Sequence, residues 1–276
     1  MKDEQITDPI ATRPAERNGD RRGIQSIEVG GALLQALVRH GTPMILKDLA
    51  RDAGMPPAKA HPYLVSFGKL GLIEQDPLTG RYGLGTFSLQ LGLSALHGLN
   101  PLRVATPEAA KLSDEIGQNV AIAVWGNQGA TVVSIEECSR QVHVNMRVGT
   151  VMNLVTSATG RVFAAFLPAR LTETLIAEEL AHLACAADPS LRLSRSQFDN
   201  ELEEIRRQRL ARAVGQPIPG INAFCAPVFD HNGHVALTIT AMGAADNFDA
   251  DWSSPLAEKL RSCAESISGR LGKMEG

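Results

Sequence analysis

The segment KDLARDAGMPPAKAHPYLVSFGKLGLIEQDPLTGRYGLG, residues 47–85, carries three patterns in succession. Leu46, Leu49, Ala50 and Ala53 share one helical face and Gly54 closes it, so a short helix is expected there. After a glycine-containing turn the period resumes at Ala60, Leu64, Phe67 and Leu70 and stops at Gly71, giving a second helix from about Pro57. Two short runs, Leu72–Gln75 and Arg81–Leu84, then flank a turn rich in Asp76, Pro77, Thr79 and Gly80, which predicts a hairpin. Upstream, Ile27, Leu33, Leu34, Leu37 and Val38 recur at helical spacing and end at His40–Gly41. Three helices and a two-stranded hairpin within about sixty residues describe a winged helix-turn-helix. The alanines and glycine turns alone would equally suit an ordinary helical subdomain. The hairpin tips the balance.

One residue resists the pattern. Pro56 and Pro57 fit a helix entrance, where backbone N–H groups have no intrahelical partner. Pro62 lies further in, where it removes a hydrogen bond and crowds the carbonyl of Ala58. The apolar face nevertheless runs on through Leu64 and Phe67 without a change of register, so the helix is expected to continue. Two readings of Pro62 remain: it tilts the first turn and aims Lys59, His61 and Tyr63 at a major groove, or it shortens the helix and weakens base readout.

Composition bounds the rest. The chain has 276 residues, 44% hydrophobic and 21% charged, room for one large domain or two ordinary ones. No stretch approaches the roughly 18 apolar residues of a membrane span. The polar residues 1–22 lack the apolar centre of a secretory signal and are expected to form a mobile tail. Cys138, Cys185, Cys225 and Cys263 are widely spaced without a CxxC pair, which suggests reduced thiols in a cytoplasmic, nucleoid-associated protein, neither disulfides nor metal ligands. Residues 21–85 hold 8 Lys/Arg against 5 Asp/Glu, whereas residues 86–276 hold 16 against 20. A weakly cationic module therefore precedes an anionic body, and such a module is compatible with double-stranded DNA as partner.

Within the module, Lys59 and Arg81 suit phosphate neutralisation, and His61 or Tyr63 can touch a base edge or a phosphate. Gln25 and Ser26, at the start of the first helix, can donate hydrogen bonds to the backbone of DNA. Ala58 and Pro62 complete the exposed start of the candidate recognition helix. Downstream, Phe87, Leu91 and Leu93–Ala95 make a helix apolar around much of its circumference, for which a second copy of the same helix is the plainest partner. The runs 120–126, 131–138 and 141–149 read as strands. Helices are expected over 157–167, 171–184 and 194–213, then strands over 222–230 and 234–243, and a final helix over 253–271. This mixture indicates an α+β domain.

Three blocks, GIQSIEVGGALLQALVRHG, residues 47–85 and MRVGTVMNLVTSATGRVFAAFLP, occur in an order that resembles the IclR family of bacterial transcriptional regulators. The resemblance runs from about Gly23 to the C-terminus. It implies a tail (1–22), a winged helix-turn-helix DNA-binding domain (23–85), a linker and dimerisation helix (86–101) and a GAF-like effector-binding domain (102–276). It also implies assembly as homodimers or dimers of dimers, with no cofactor, and an operator whose affinity a small effector modulates. Where this chain has Pro62, members of the family usually carry an arginine or similar polar residue.

The stretch NLVTSATGRVFAAF places a Thr156 or Ser157 cap before small residues at a helix start, a place that favours an anion such as a small carboxylate. An ordinary capped helix packed on the sheet would look the same. The resemblance implies an effector pocket of Met152, Ala158, Thr159, Ala223, Thr240 and Met242. Met242 and Ala223 make that pocket apolar, which suggests an aromatic or branched acid. Arg147 is a candidate counter-charge, though better suited to an ion pair outside the pocket. Two other classes compete. Cys225 with His143, His231 or His234 would be the best nucleophile–base set for an enzyme, but it sits in a mostly apolar strand, and no GxSxG, P-loop, GxGxxG or HExxH is present. A non-specific architectural DNA protein is disfavoured by the weak charge of the module.

Overall fold

The structure is a computed structural model and describes residues 23–138, 146–186, 188 and 192–273. Two compact units divide the chain, Met1–Gly98 and Leu99–Gly276.

The first unit packs α1 (Gln25–His40), α2 (Leu46–Asp52) and α3 (Pro57–Lys69) around Leu33, Leu37, Met44, Leu49, Leu64 and Ile73, all nearly inaccessible. The predicted helix ends hold: the Gly41 N–H bonds the Leu37 carbonyl at 3.0 Å, and Met55 N–H reaches back to Ala50 at 2.9 Å in the α2–α3 turn. Gly30 lets α1 cross α3 closely, because a Cβ there would lie 2.8 Å from the Phe67 ring and 3.0 Å from that of Tyr63. The hairpin is β1 (Ile73–Gln75) against β2 (Tyr82–Leu84), each a residue shorter than the sequence runs. Tyr82 also exchanges both backbone hydrogen bonds with Met44, which ties the wing to the helices. Helix α4 (Thr86–His97) follows, and none of its residues is buried.

The second unit is a six-stranded antiparallel sheet in the order β5-β4-β3-β8-β7-β6. Its strands are β3 (Asn119–Gly126), β4 (Gly129–Glu136), β5 (Val151–Met152), β6 (Ala211–Val214), β7 (Ile221–Phe229) and β8 (Val235–Ala244). Strand side chains alternate between two cores. Val120, Ile122, Phe224, Ile239 and Ala241 face α5 (Pro101–Ile116) and α9 (Pro255–Arg270). Ala121, Ala123, Ala213, Cys225 and Met242 face α6 (Ala158–Phe166), α7 (Ala169–Ala184) and α8 (Arg195–Gln208).

Three expectations need correction. Helix α5 has no counterpart in the predicted elements: Pro101, the last residue of the expected linker helix, is its first residue, and the Asn100 side chain accepts from the N–H groups of Leu102 and Arg103. The helix expected over 194–213 stops at Gln208, Arg209 turns left-handed at φ 49°, and residues 211–214 form β6 by pairing with β7. Of the strand expected over 141–149, residues 141–145 lie outside the described ones. The remainder is a turn, because Thr150 N–H folds back to the Arg147 carbonyl at 3.0 Å, and the strand is Val151–Met152 instead.

Candidate functional site

On the first unit, α3 presents one buried edge and one open face. Ala60 and Leu64 are buried; Ala58, Lys59, His61, Pro62, Val65, Ser66 and Lys69 are exposed. Pro57 opens the helix, where the Pro56 carbonyl takes the N–H groups of Lys59 and Ala60 at 2.9 and 3.1 Å. Helical structure continues through Pro62, whose carbonyl accepts the Ser66 hydroxyl at 3.0 Å. Tyr63 differs from its predicted companions: it is half-buried and its ring lies toward Gly30 of α1. Gln25 and Ser26 are exposed in the first turn of α1. In the wing, the Asp76 carboxylate accepts the Leu78 N–H at 2.8 Å and the Thr79 hydroxyl at 2.8 Å, and these donors hold it below the ordinary aspartate value. Exposed Arg81 donates through Nη1 to the Pro43 carbonyl at 3.2 Å, so its guanidinium is fixed beside the wing's base.

On the second unit, the six residues named for a pocket line one cavity of about 430 Å³, measured to its open mouth. Register builds it. Ala223 pairs with Met242 and Cys225 with Thr240 across β7 and β8, so these side chains share the face toward α6. Met152 enters from β5, and Ala158 and Thr159 from the first turn of α6. At the floor, the hydroxyls of Thr159 and Thr240 are 2.8 Å apart.

The helix start is held from behind. Ser157 caps it, accepting the Gly160 N–H at 2.9 Å and donating to the Asn153 carbonyl at 2.6 Å. The N–H groups of Leu154 and Val155 both donate to the Glu179 carboxylate of α7, at 2.9 and 2.8 Å. Arg161 donates to the Val155 carbonyl at 2.7 Å and sits 3.4 Å from Glu201. Burial draws its guanidinium below the usual value and the Glu201 charge partly restores it. Gly160 is sterically required, since a Cβ there would overlap the Asn153 carbonyl.

Among the described residues the cavity is lined by no charged side chain, and exposed Arg147 is not part of the lining. No salt bridge holds Arg147 among the described residues. The lining also includes Met146, Ala213, Gln216, Pro217, Ile218 and Ile221, which the sequence patterns did not single out. Ala213 was hidden by the helix-like run that becomes β6. The signal for Gln216–Ile218 was the turn-rich GQPIPG between two strands.

The thiol chemistry weighed from sequence finds no support in the geometry. Cys225 is fully buried, and burial pushes its thiol up to about 12, far from a nucleophilic thiolate at neutral pH. His231 and His234 are exposed on the β7–β8 turn, and His143 lies outside the described residues. Among the described residues no group of three or more His, Cys, Asp or Glu is placed to hold a metal ion. None of their helices is long and apolar enough to cross a membrane.

Comparison with known proteins meets this geometry at both units. Residues 93–269 match the family described as "Bacterial transcriptional regulator IclR C-terminal", and residues 26–77 match the "IclR helix-turn-helix domain". The chain belongs to the IclR family. Pseudomonas aeruginosa HmgR, solved as a crystal structure, is 40% identical with a TM-score of 0.82, covering 92% of this chain and 100% of that one. The glycerol operon regulatory protein of Streptomyces coelicolor is 29% identical over 91% of this chain and 98% of its own. The Escherichia coli repressor YiaJ is 24% identical over 91% of this chain and 89% of its own. This IclR-family chain is thus a DNA-binding transcriptional regulator with a C-terminal effector-binding domain. IclR-family regulators are not enzymes.

Proposed function

We propose that this regulator binds its operator as a homodimer through α3 and the wing, and that a small, largely apolar carboxylate held in the 430 Å³ cavity alters that affinity. The observation that carries the reading is the convergence of Met152, Ala158, Thr159, Ala223, Thr240 and Met242 on that cavity. Methionine, isoleucine, proline and alanine walls select an aromatic or branched body. With no charged side chain among the described lining residues, the carboxylate takes the N–H groups at the start of α6 and the helix's positive end. The Streptomyces relative is named for a glycerol operon; a triol would find few free partners here, because the Thr159 and Thr240 hydroxyls already bond each other.

On the DNA side, Lys59 and Arg81 neutralise phosphate, His61 reaches a base edge or phosphate, and Gln25 and Ser26 bond the backbone. Ala58 and Pro62 complete the exposed recognition element, and half-buried Tyr63 backs it against α1. The apolar helix α4 pairs with its copy in the dimer, presenting two α3 helices to half-sites about 34–36 Å apart or a multiple of that. Ligand then changes the spacing or order of the two modules, and a coupling of about 1–3 kcal/mol suffices for regulation. The test is a thermal-shift titration with aromatic and branched aliphatic acids, each beside its amide. One acid raising the melting temperature in the native chain, and not in Ala223→Leu, supports the reading. A panel in which no acid does so, or in which the filled variant responds equally, overturns it.

A further inference from the structure

The open face of α3 is unusual in its chemistry. Ala58, Pro62 and Val65 recur at i, i+4 and i+7, opposite the buried Ala60 and Leu64, and all three are exposed. Val65 keeps 45% of its surface open. Lys59 and His61 flank the stripe and Lys69 ends it, while the helix PAKAHPYLVSFGK contains no Asp or Glu. It also contains no Arg, Asn or Gln, so Lys59 and Lys69 are its only side chains able to read guanine bidentately in the major groove, and none reads adenine that way. An apolar stripe framed by cations matches one feature of duplex DNA. That feature is the thymine C5-methyl group, the apolar element of the major-groove edge, lying between two rows of phosphate.

We infer that Ala58, Pro62 and Val65 form a specificity surface that reads thymine methyl groups in the operator half-site. The inference rests on α3 entering the major groove, as proposed above. Pro62 then has a positive role. Its ring extends the apolar surface outward between Ala58 and Val65, where a polar side chain would select a different base. Lys59 and Lys69 anchor the helix to phosphate without choosing sequence.

The experiment begins with selection of a binding site from a random-sequence duplex library, using the full chain. Each thymine of the recovered half-site is then replaced by uracil, which removes only the methyl group. Loss of a buried methyl should weaken binding about fourfold per contacted thymine. In Val65→Ser, which removes both γ-methyl groups at an exposed position, the uracil penalty at one thymine should shrink toward none; circular dichroism checks that the variant is folded. Pro62→Arg should shift the selected base at its position away from thymine. Full affinity for uracil-substituted sites, with scrambled duplexes still rejected, overturns methyl readout and leaves the DNA-binding reading intact. Recovery of no preferred duplex overturns both. If Val65→Ser instead changes sedimentation of the DNA-free chain and leaves the uracil penalty untouched, the stripe is a contact between copies and the inference fails.

Discussion

Pro62 and Cys225 show how one residue's surroundings decide what it does. Pro62 withholds an N–H from the Ala58 carbonyl in a helix that continues past it, so the helix bears a local cost that packing of Leu64 offsets. Replacing it with alanine restores the donor. Pro62→Ala should raise the stability of the first unit by about 1–2 kcal/mol, less than the roughly 3 kcal/mol of an interior proline because the unfolded chain also gains freedom. Urea unfolding followed through Tyr63 and Tyr82, both in this unit, measures it; an unchanged or lowered midpoint would show that the proline is not strained there. Cys225 is the opposite case, a reactive side chain made inert. Its folded thiol titrates near 12, above the ordinary value of 9.0, so the neutral form persists across the physiological range. Alkylation of the native chain at neutral pH should label exposed Cys185 and spare Cys225 until denaturant is added, as read by peptide mass. Rapid native labelling of Cys225 would contradict its burial.

At the scale of elements, the pocket depends on how α6 begins. In the loop before it Leu154 and Val155 are buried in the core, and Glu179 of α7 holds their two consecutive N–H groups. Truncating Glu179→Ala leaves those two donors without their acceptor, at about 1–3 kcal/mol in a partly buried position. Hydrogen exchange of the Leu154 and Val155 amides should accelerate while β7 and β8 amides stay protected; equal protection in the variant would assign the loop's order to some other contact. Glu179 could not be singled out from sequence, because its partners are backbone groups about 25 residues away across a helix pair, and such pairings leave no local pattern. The strands behind the pocket were legible, since Ala223, Cys225, Thr240 and Met242 alternate with apolar residues of the other core. Residues 211–214 were not, because Ala-Arg-Ala is as suited to a helix as to a strand and only pairing with β7 decides it. Helix α5 was obscured by Pro101 and Pro107, two breakers that in context are a first-turn residue and an exposed interior one.

Across the whole molecule, the aromatic residues divide as the units do. Both tyrosines lie before Gly98, and both tryptophans, Trp125 and Trp252, lie after it. Each unit also has its own buried cluster, so each reports its unfolding through a different chromophore. That separation makes the proposed dimer testable without ambiguity. On α4, Leu89, Leu93 and Leu96 are 63%, 47% and 38% exposed and fall at i, i+4 and i+7, one stripe of a helix none of whose residues is buried among the described residues. An apolar stripe left in water is unfavourable by about 25 cal/mol for each Å² that a partner would cover. A carboxylate in its centre would have to be desolvated on pairing. Leu93→Asp should therefore convert the dimer to a monomer in sedimentation velocity and abolish binding to a two-half-site operator. The tyrosine and tryptophan unfolding transitions of each unit should remain cooperative. A variant that stays dimeric, or a native chain that sediments as a monomer at micromolar concentration, would remove α4 from the interface.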